Sequence, residues 1–81
     1  MVSNPEGDAE TLSRLLSEMF ALTPGEVRLA VKLAQGMELG EIADLFGLSR
    51  ETLRSQLKNI FDKTDVRKQG ALISMLHGLT P

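Results

Sequence analysis

The stretch Glu41-Ile42-Ala43-Asp44-Leu45-Phe46-Gly47-Leu48-Ser49-Arg50-Glu51-Thr52-Leu53-Arg54-Ser55-Gln56-Leu57-Lys58-Asn59-Ile60-Phe61-Asp62-Lys63 holds two helical patterns set almost end to end. Ile42, Ala43, Leu45 and Phe46 give a short helix, from about Leu39 or Gly40 to Phe46, its apolar residues, and Gly47 stops it. Ser49 follows as an N-cap, with Glu51 and Thr52 in the first turn, where a carboxylate and a small hydroxyl meet backbone N–H groups that lack partners. This second helix runs to about Lys63. At about 100° per residue, Leu53, Leu57, Ile60 and Phe61 share one side while Arg54, Ser55, Lys58 and Asp62 share the opposite one. About three residues, one of them a glycine, join the two helices, which is the outline of a helix-turn-helix.

The same punctuation organises the rest of the chain. Leu22-Thr23-Pro24-Gly25-Glu26 is a helix start: Thr23 caps, Pro24 suits the first helical position, and Glu26 closes a capping box. That helix extends to about Gln35 with Val27, Ala30, Val31 and Ala34 as its inner stripe, and Gly36 suits the left-handed residue that ends it. Upstream, Leu12, Leu15, Leu16, Met19 and Phe20 form one stripe of an amphipathic helix beginning near Asp8. Met1 to Gly7 reads as a polar lead-in, with Asn4 and Pro5 a candidate helix start. Downstream, Thr64 and Asp65 make a polar break, and a last helix from about Arg67 or Lys68 to His77 turns Ala71, Leu72, Met75 and Leu76 inward and ends at Gly78. No strand-like alternation, repeat or low-complexity tract interrupts this, so the expected fold is all-α.

A chain of 81 residues with 42% hydrophobic content supports one core, because two would each be too small to offset chain entropy. With 4% aromatic residues and no Trp or Tyr, that core is aliphatic, which suits packed helices. The absence of Cys excludes disulfides and thiolate metal sites and is compatible with a reducing compartment. No apolar run approaches the roughly 18 residues of a membrane span, and Met1 to Glu10 lacks the pattern of a signal peptide. A cytoplasmic protein without membrane contact is expected.

The net charge of −2 argues at first against nucleic acid, since phosphate binding is driven by Lys and Arg displacing counterions. The distribution reverses that. Met1 to Leu48 carries three basic and eight acidic residues, a balance of −5. Ser49 to Lys68 carries six basic residues (Arg50, Arg54, Lys58, Lys63, Arg67, Lys68) and three acidic ones, a balance of +3. A domain with one face turned toward phosphates shows such a split, although a solvated helix face would show it too. What favours DNA is the setting: Arg54, Ser55 and Lys58 stand on the outer side of a helix placed directly after a tight turn, where long donors reach base edges and a small hydroxyl lets the backbone approach.

Leu22-Thr23-Pro24, Glu26, Ala34, Gly36, Glu41-Ile42-Ala43, Leu48-Ser49, Thr52-Leu53, Ile60, Lys63 and Val66 together resemble the LuxR-type helix-turn-helix, also called the GerE or FixJ type. The resemblance covers about Leu22 to Leu76 and implies a four-helix DNA-binding domain of a bacterial transcriptional regulator, here residues 22–81, with residues 1–21 as lead-in and additional helix. It implies that Arg54, Ser55 and Lys58 face bases or nearby phosphates, that Ser49 and Thr52 bind phosphate at the start of the recognition helix, and that Lys63, Arg67 and Lys68 hold flanking backbone, with Arg50 in the same basic cluster. It also implies double-stranded DNA as partner and a homodimer, at least on DNA, for which Ile73, Leu76 and Leu79 are the interface candidates. Glu26 and Glu41 are read as caps rather than DNA ligands, since a carboxylate is repelled by phosphate.

The chain departs from the family pattern at Gly25, Gln56, Thr64 and Gln69, where members commonly have a basic residue, His, Leu and Arg. Weaker phosphate affinity is the expected consequence. The helix from Asp8 to Phe20 lies outside the resemblance; it either links to a further domain or second copy or packs on the core, and the need to cover five apolar residues favours packing. Catalysis has little support: the single His77 sits at a helix end, where the carbonyl dipole accounts for it, and no Gly-rich phosphate loop is present. No enzyme activity, metal, cofactor or small-molecule ligand in this segment is expected. Two alternatives stay open: a protein-interaction module using the acidic half or spare apolar residues, and a promoter-binding domain like the fourth region of a sigma factor, which contacts RNA polymerase.

Overall fold

The computed structural model describes residues 5–79, with side chains from residue 10 onward, and consists of five helices: α1 (Pro5–Phe20), α2 (Pro24–Ala34), α3 (Leu39–Phe46), α4 (Arg50–Thr64) and α5 (Gln69–Leu79). No strand occurs among the described residues, so the fold is all-α with a helix added ahead of the four that follow Leu22. The helix expected from Asp8 already runs from Pro5, and the remainder of the proposed lead-in, Met1 to Asn4, lies outside the described residues.

α2 is the hub, packing against α1, α3, α4 and α5. Its start follows the residues that announce it: Thr23 Oγ1 accepts from Glu26 N at 3.2 Å, Glu26 Oε1 accepts from Thr23 N at 2.9 Å, and Pro24 occupies the first turn. The end is a left-handed Gly36 at φ +92°. A helix touched on several sides buries more than a single stripe. The inner stripe read from spacing is therefore too narrow: Leu29 and Leu33 are fully buried beside Val27, Ala30 and Val31, while Ala34 is partly exposed.

The core joins all five helices. Leu12 and Leu16 of α1, Ile42 and Ala43 of α3, Leu53, Leu57 and Ile60 of α4, and Leu72 and Leu76 of α5 converge with the α2 residues in one cluster. Of the two readings of α1, packing on the core is the one observed; Met19 at its end is 57% exposed all the same. Ala71, read as inward, points out, and Leu45, one of the apolar residues of α3, is 57% exposed. Both lie on short amphipathic helices, where a residue one step off the stripe turns by about 100° and reaches solvent. α5 begins at Gln69, one or two residues later than expected, with the Lys68 carbonyl accepting from Leu72 N at 3.0 Å. His77 Nε2 lies 2.7 Å from the Ala34 carbonyl, tying the end of α5 to the last turn of α2.

No described helix is long and apolar enough to cross a membrane.

Candidate nucleic-acid interface

α3 ends and α4 begins within three residues because each end is satisfied locally. Gly47 adopts the left-handed conformation at φ 67°, and Leu48 N donates to Ala43 O at 3.0 Å, closing the last turn of α3. Ser49 then stands extended at φ −76°, ψ 157°, and its Oγ accepts from Thr52 N at 3.1 Å. The Ser49 and Thr52 hydroxyls also share a hydrogen bond at 2.9 Å, and both residues are exposed.

From that start α4 turns Leu53, Leu57, Ile60 and Thr64 into the core, the Thr64 hydroxyl donating to Ile60 O at 2.7 Å. The opposite side is solvent-facing. Arg54, Ser55 and Lys58 are exposed together on it, accompanied by Glu51 and Asp62. α4 is held in this attitude by its packing against α2 and α3. The result is a core-packed helix that presents two long cations around a small hydroxyl.

The other basic residues are placed unequally. Arg50 is exposed but lies along α3: a Cβ built on Gly40 would come within 2.8 Å of Arg50 Nη2, so the guanidinium rests on the glycine backbone. Lys63 is committed elsewhere. Its Nζ lies 2.7 Å from Glu26 Oε1 and donates to the Ala21 carbonyl at 3.4 Å, across a left-handed Ala21 at φ 55° where α1 ends. Arg67 and Lys68 are exposed in the link to α5. Ile73 and Leu79 are partly exposed on α5, whereas Leu76 is fully buried in the protomer's own core and has no surface to offer a second copy.

Both acids expected to be structural are so. Glu26 is 4% exposed; burial resists its ionisation, but the Lys63 ammonium and the Thr23 N–H outweigh this and hold its carboxyl below the ordinary value. Glu41 Oε1 accepts from Glu38 N at 3.1 Å, closing the box at the start of α3. Among the described residues no group of three or more His, Asp or Glu could hold a metal ion.

One feature of this region escaped the sequence reading. Gly25 and Arg28 on α2, Phe46 and Leu48 at the turn, and Gln56 on α4 line an open cavity of about 300 Å³. Gln56 Oε1 is buried there without a hydrogen-bond partner. Contacts between α2 and the turn carry no spacing signal in the sequence.

Comparison with protein-family models, with curated proteins and with solved structures finds no match to this chain.

Proposed function

We propose that this chain is a sequence-specific DNA-binding domain of a bacterial transcriptional regulator of the LuxR type, acting in the cytoplasm, with α4 as its recognition helix. The observation that carries the reading is the joint exposure of Arg54, Ser55 and Lys58 on a helix fixed from behind by a fully buried Leu53 and Ile60. A helix of this width fits a major groove, and a backbone packed in place before binding leaves only the side chains to be ordered. Arg50, Arg67 and Lys68 supply further charge for flanking phosphates, and Ser49 and Thr52 stand where a phosphate would meet the α4 N-terminus. A second copy binds through partly exposed Ile73 and Leu79 when two half-sites are present.

The test is selection of bound duplexes from a random pool, followed by titration of the enriched sequence over a range of salt. Arg54→Ala and Lys58→Ala are each expected to weaken binding by about 1 to 3 kcal/mol where a base contact is lost. Unchanged affinity in both variants would reject the assignment.

The rival reading, a protein-docking module, draws on the exposed Leu45, Leu48 and Met19. It gains if no duplex is retarded at high micromolar protein and low salt.

A further inference from the structure

Gly40 stands where the backbone does not require a glycine. It is the second residue of α3, and it does not share the positive φ of Gly36 and Gly47. Alanine would suit a helix better, so what matters at this position is the space that a side chain would take. Arg50 fills that space. A Cβ built on Gly40 would come within 2.8 Å of Arg50 Nη2, 3.3 Å of Cζ and 3.4 Å of Nε. All three atoms belong to the guanidinium, which therefore lies along the glycine instead of touching it at one tip. On the same measure Gly25 meets Gln56 Nε2 at 3.4 Å, and Gly36, Gly47, Gly70 and Gly78 meet nothing within 4 Å. The contact is one of shape: Arg50 is exposed and forms no ion pair or hydrogen bond through its side chain among the described residues, so its N–H donors remain unspent.

We propose that Gly40 is a positioning residue for DNA binding: by lacking a Cβ it seats the Arg50 guanidinium on α3, in the attitude from which Arg50 donates to a flanking backbone phosphate. The proposal deepens the DNA-binding reading, in which Arg50 serves such a phosphate, and rests on it. The α3–α4 turn fixes where the Arg50 side chain starts, and Gly40 fixes where it ends. An unseated arginine samples many rotamers and loses them on binding, whereas a guanidinium already resting on α3 has given up part of that freedom. In helix-turn-helix docking the first helix crosses the DNA backbone while the second enters the groove, so a cation resting on α3 is offered to the strand rather than to the bases.

The experiment is a double-mutant cycle. The selected duplex, labelled for anisotropy, is titrated with the unmodified chain, Gly40→Ala, Arg50→Ala and the double variant at several salt concentrations. Arg50→Ala is expected to weaken binding and to shrink the slope of log K against log salt by about 1. Gly40→Ala is expected to weaken binding about three- to tenfold while Arg50 is present and to change nothing once Arg50 is alanine. A merely structural role for Gly40 would carry its effect into both backgrounds. In the DNA-free chain, the Arg50 Nε–H order parameter should fall in Gly40→Ala, which reads the seating without any duplex. Circular dichroism checks that each variant keeps its helices. Binding by Gly40→Ala as tight as that of the unmodified chain, an equal loss in both backgrounds, or an Arg50→Ala variant with unchanged affinity and slope overturns the positioning role and leaves the DNA reading standing. Failure of the unmodified chain to bind any duplex overturns both.

Discussion

Lys63 Nζ sits 2.7 Å from Glu26 Oε1, joining the last turn of α4 to the first turn of α2 across 37 residues of sequence. The same carboxylate oxygen caps its own helix by accepting from Thr23 N. Glu26 therefore caps the start of α2 and ties the last turn of α4 to it, and with that the helix that carries Arg54, Ser55 and Lys58. Its burial makes the pair matter. An exposed ion pair contributes little, but a carboxylate 4% exposed keeps its desolvation penalty when the cation is removed.

Acid should weaken the fold through this group. Because the folded Glu26 carboxyl lies below its ordinary value of 4.5, its contribution is complete well above pH 4.5 and is lost as pH falls through the folded value. Urea unfolding followed by circular dichroism at pH 7, 5 and 3.5 should show a falling midpoint, and Glu26→Gln should flatten that dependence. Lys63→Ala should cost about 1 to 2 kcal/mol at pH 7, discounted from a fully buried pair because Lys63 is 35% exposed. A pH profile identical in Glu26→Gln and the unmodified chain would contradict the account.

Gly40→Ala should leave stability equal or higher. The added Cβ meets the end of the Arg50 side chain, which can swing away at small cost, and alanine in a helix gains up to about 1 kcal/mol over glycine. Thermal denaturation decides it: a lower melting temperature would mean that Arg50 is locked onto α3 and is not available to a phosphate.

Leu33→Ala should be severe and Leu45→Ala mild. Leu33 is fully buried in the hub helix, so truncation leaves a cavity costing about 2 to 5 kcal/mol. Leu45, 57% exposed, should change stability by less than about 0.5 kcal/mol. Denaturant midpoints for the two variants measure both, and comparable losses would place α2 wrongly at the centre.

The elements that were legible in the sequence are those specified by neighbours along the chain. Thr23 with Glu26, Gly36, Gly47 and Ser49 each set a helix end through bonds spanning a few residues, so their types alone locate α2, α3 and the start of α4. Outward Arg54, Ser55 and Lys58 were legible for a related reason, since the period of one helix fixes them once Leu53, Leu57 and Ile60 are known to face inward. What depends on several helices meeting was not. The burial of Leu29 and Leu33 follows from four neighbours around α2, the engagement of Lys63 from Glu26, and the loss of Leu76 as a surface residue from the docking of α5. The cleft at Arg28 and Gln56 belongs to the same class, built by α2, the α3–α4 turn and α4 together.

The most direct test of the central claim is a backbone amide NMR titration of the chain with its selected duplex. Shifts concentrated in Ser49 to Lys58, with α1 and the exposed face of α3 quiet, are the predicted result. Shifts centred on Leu45 and Met19, or none at high micromolar duplex and low salt, would contradict it.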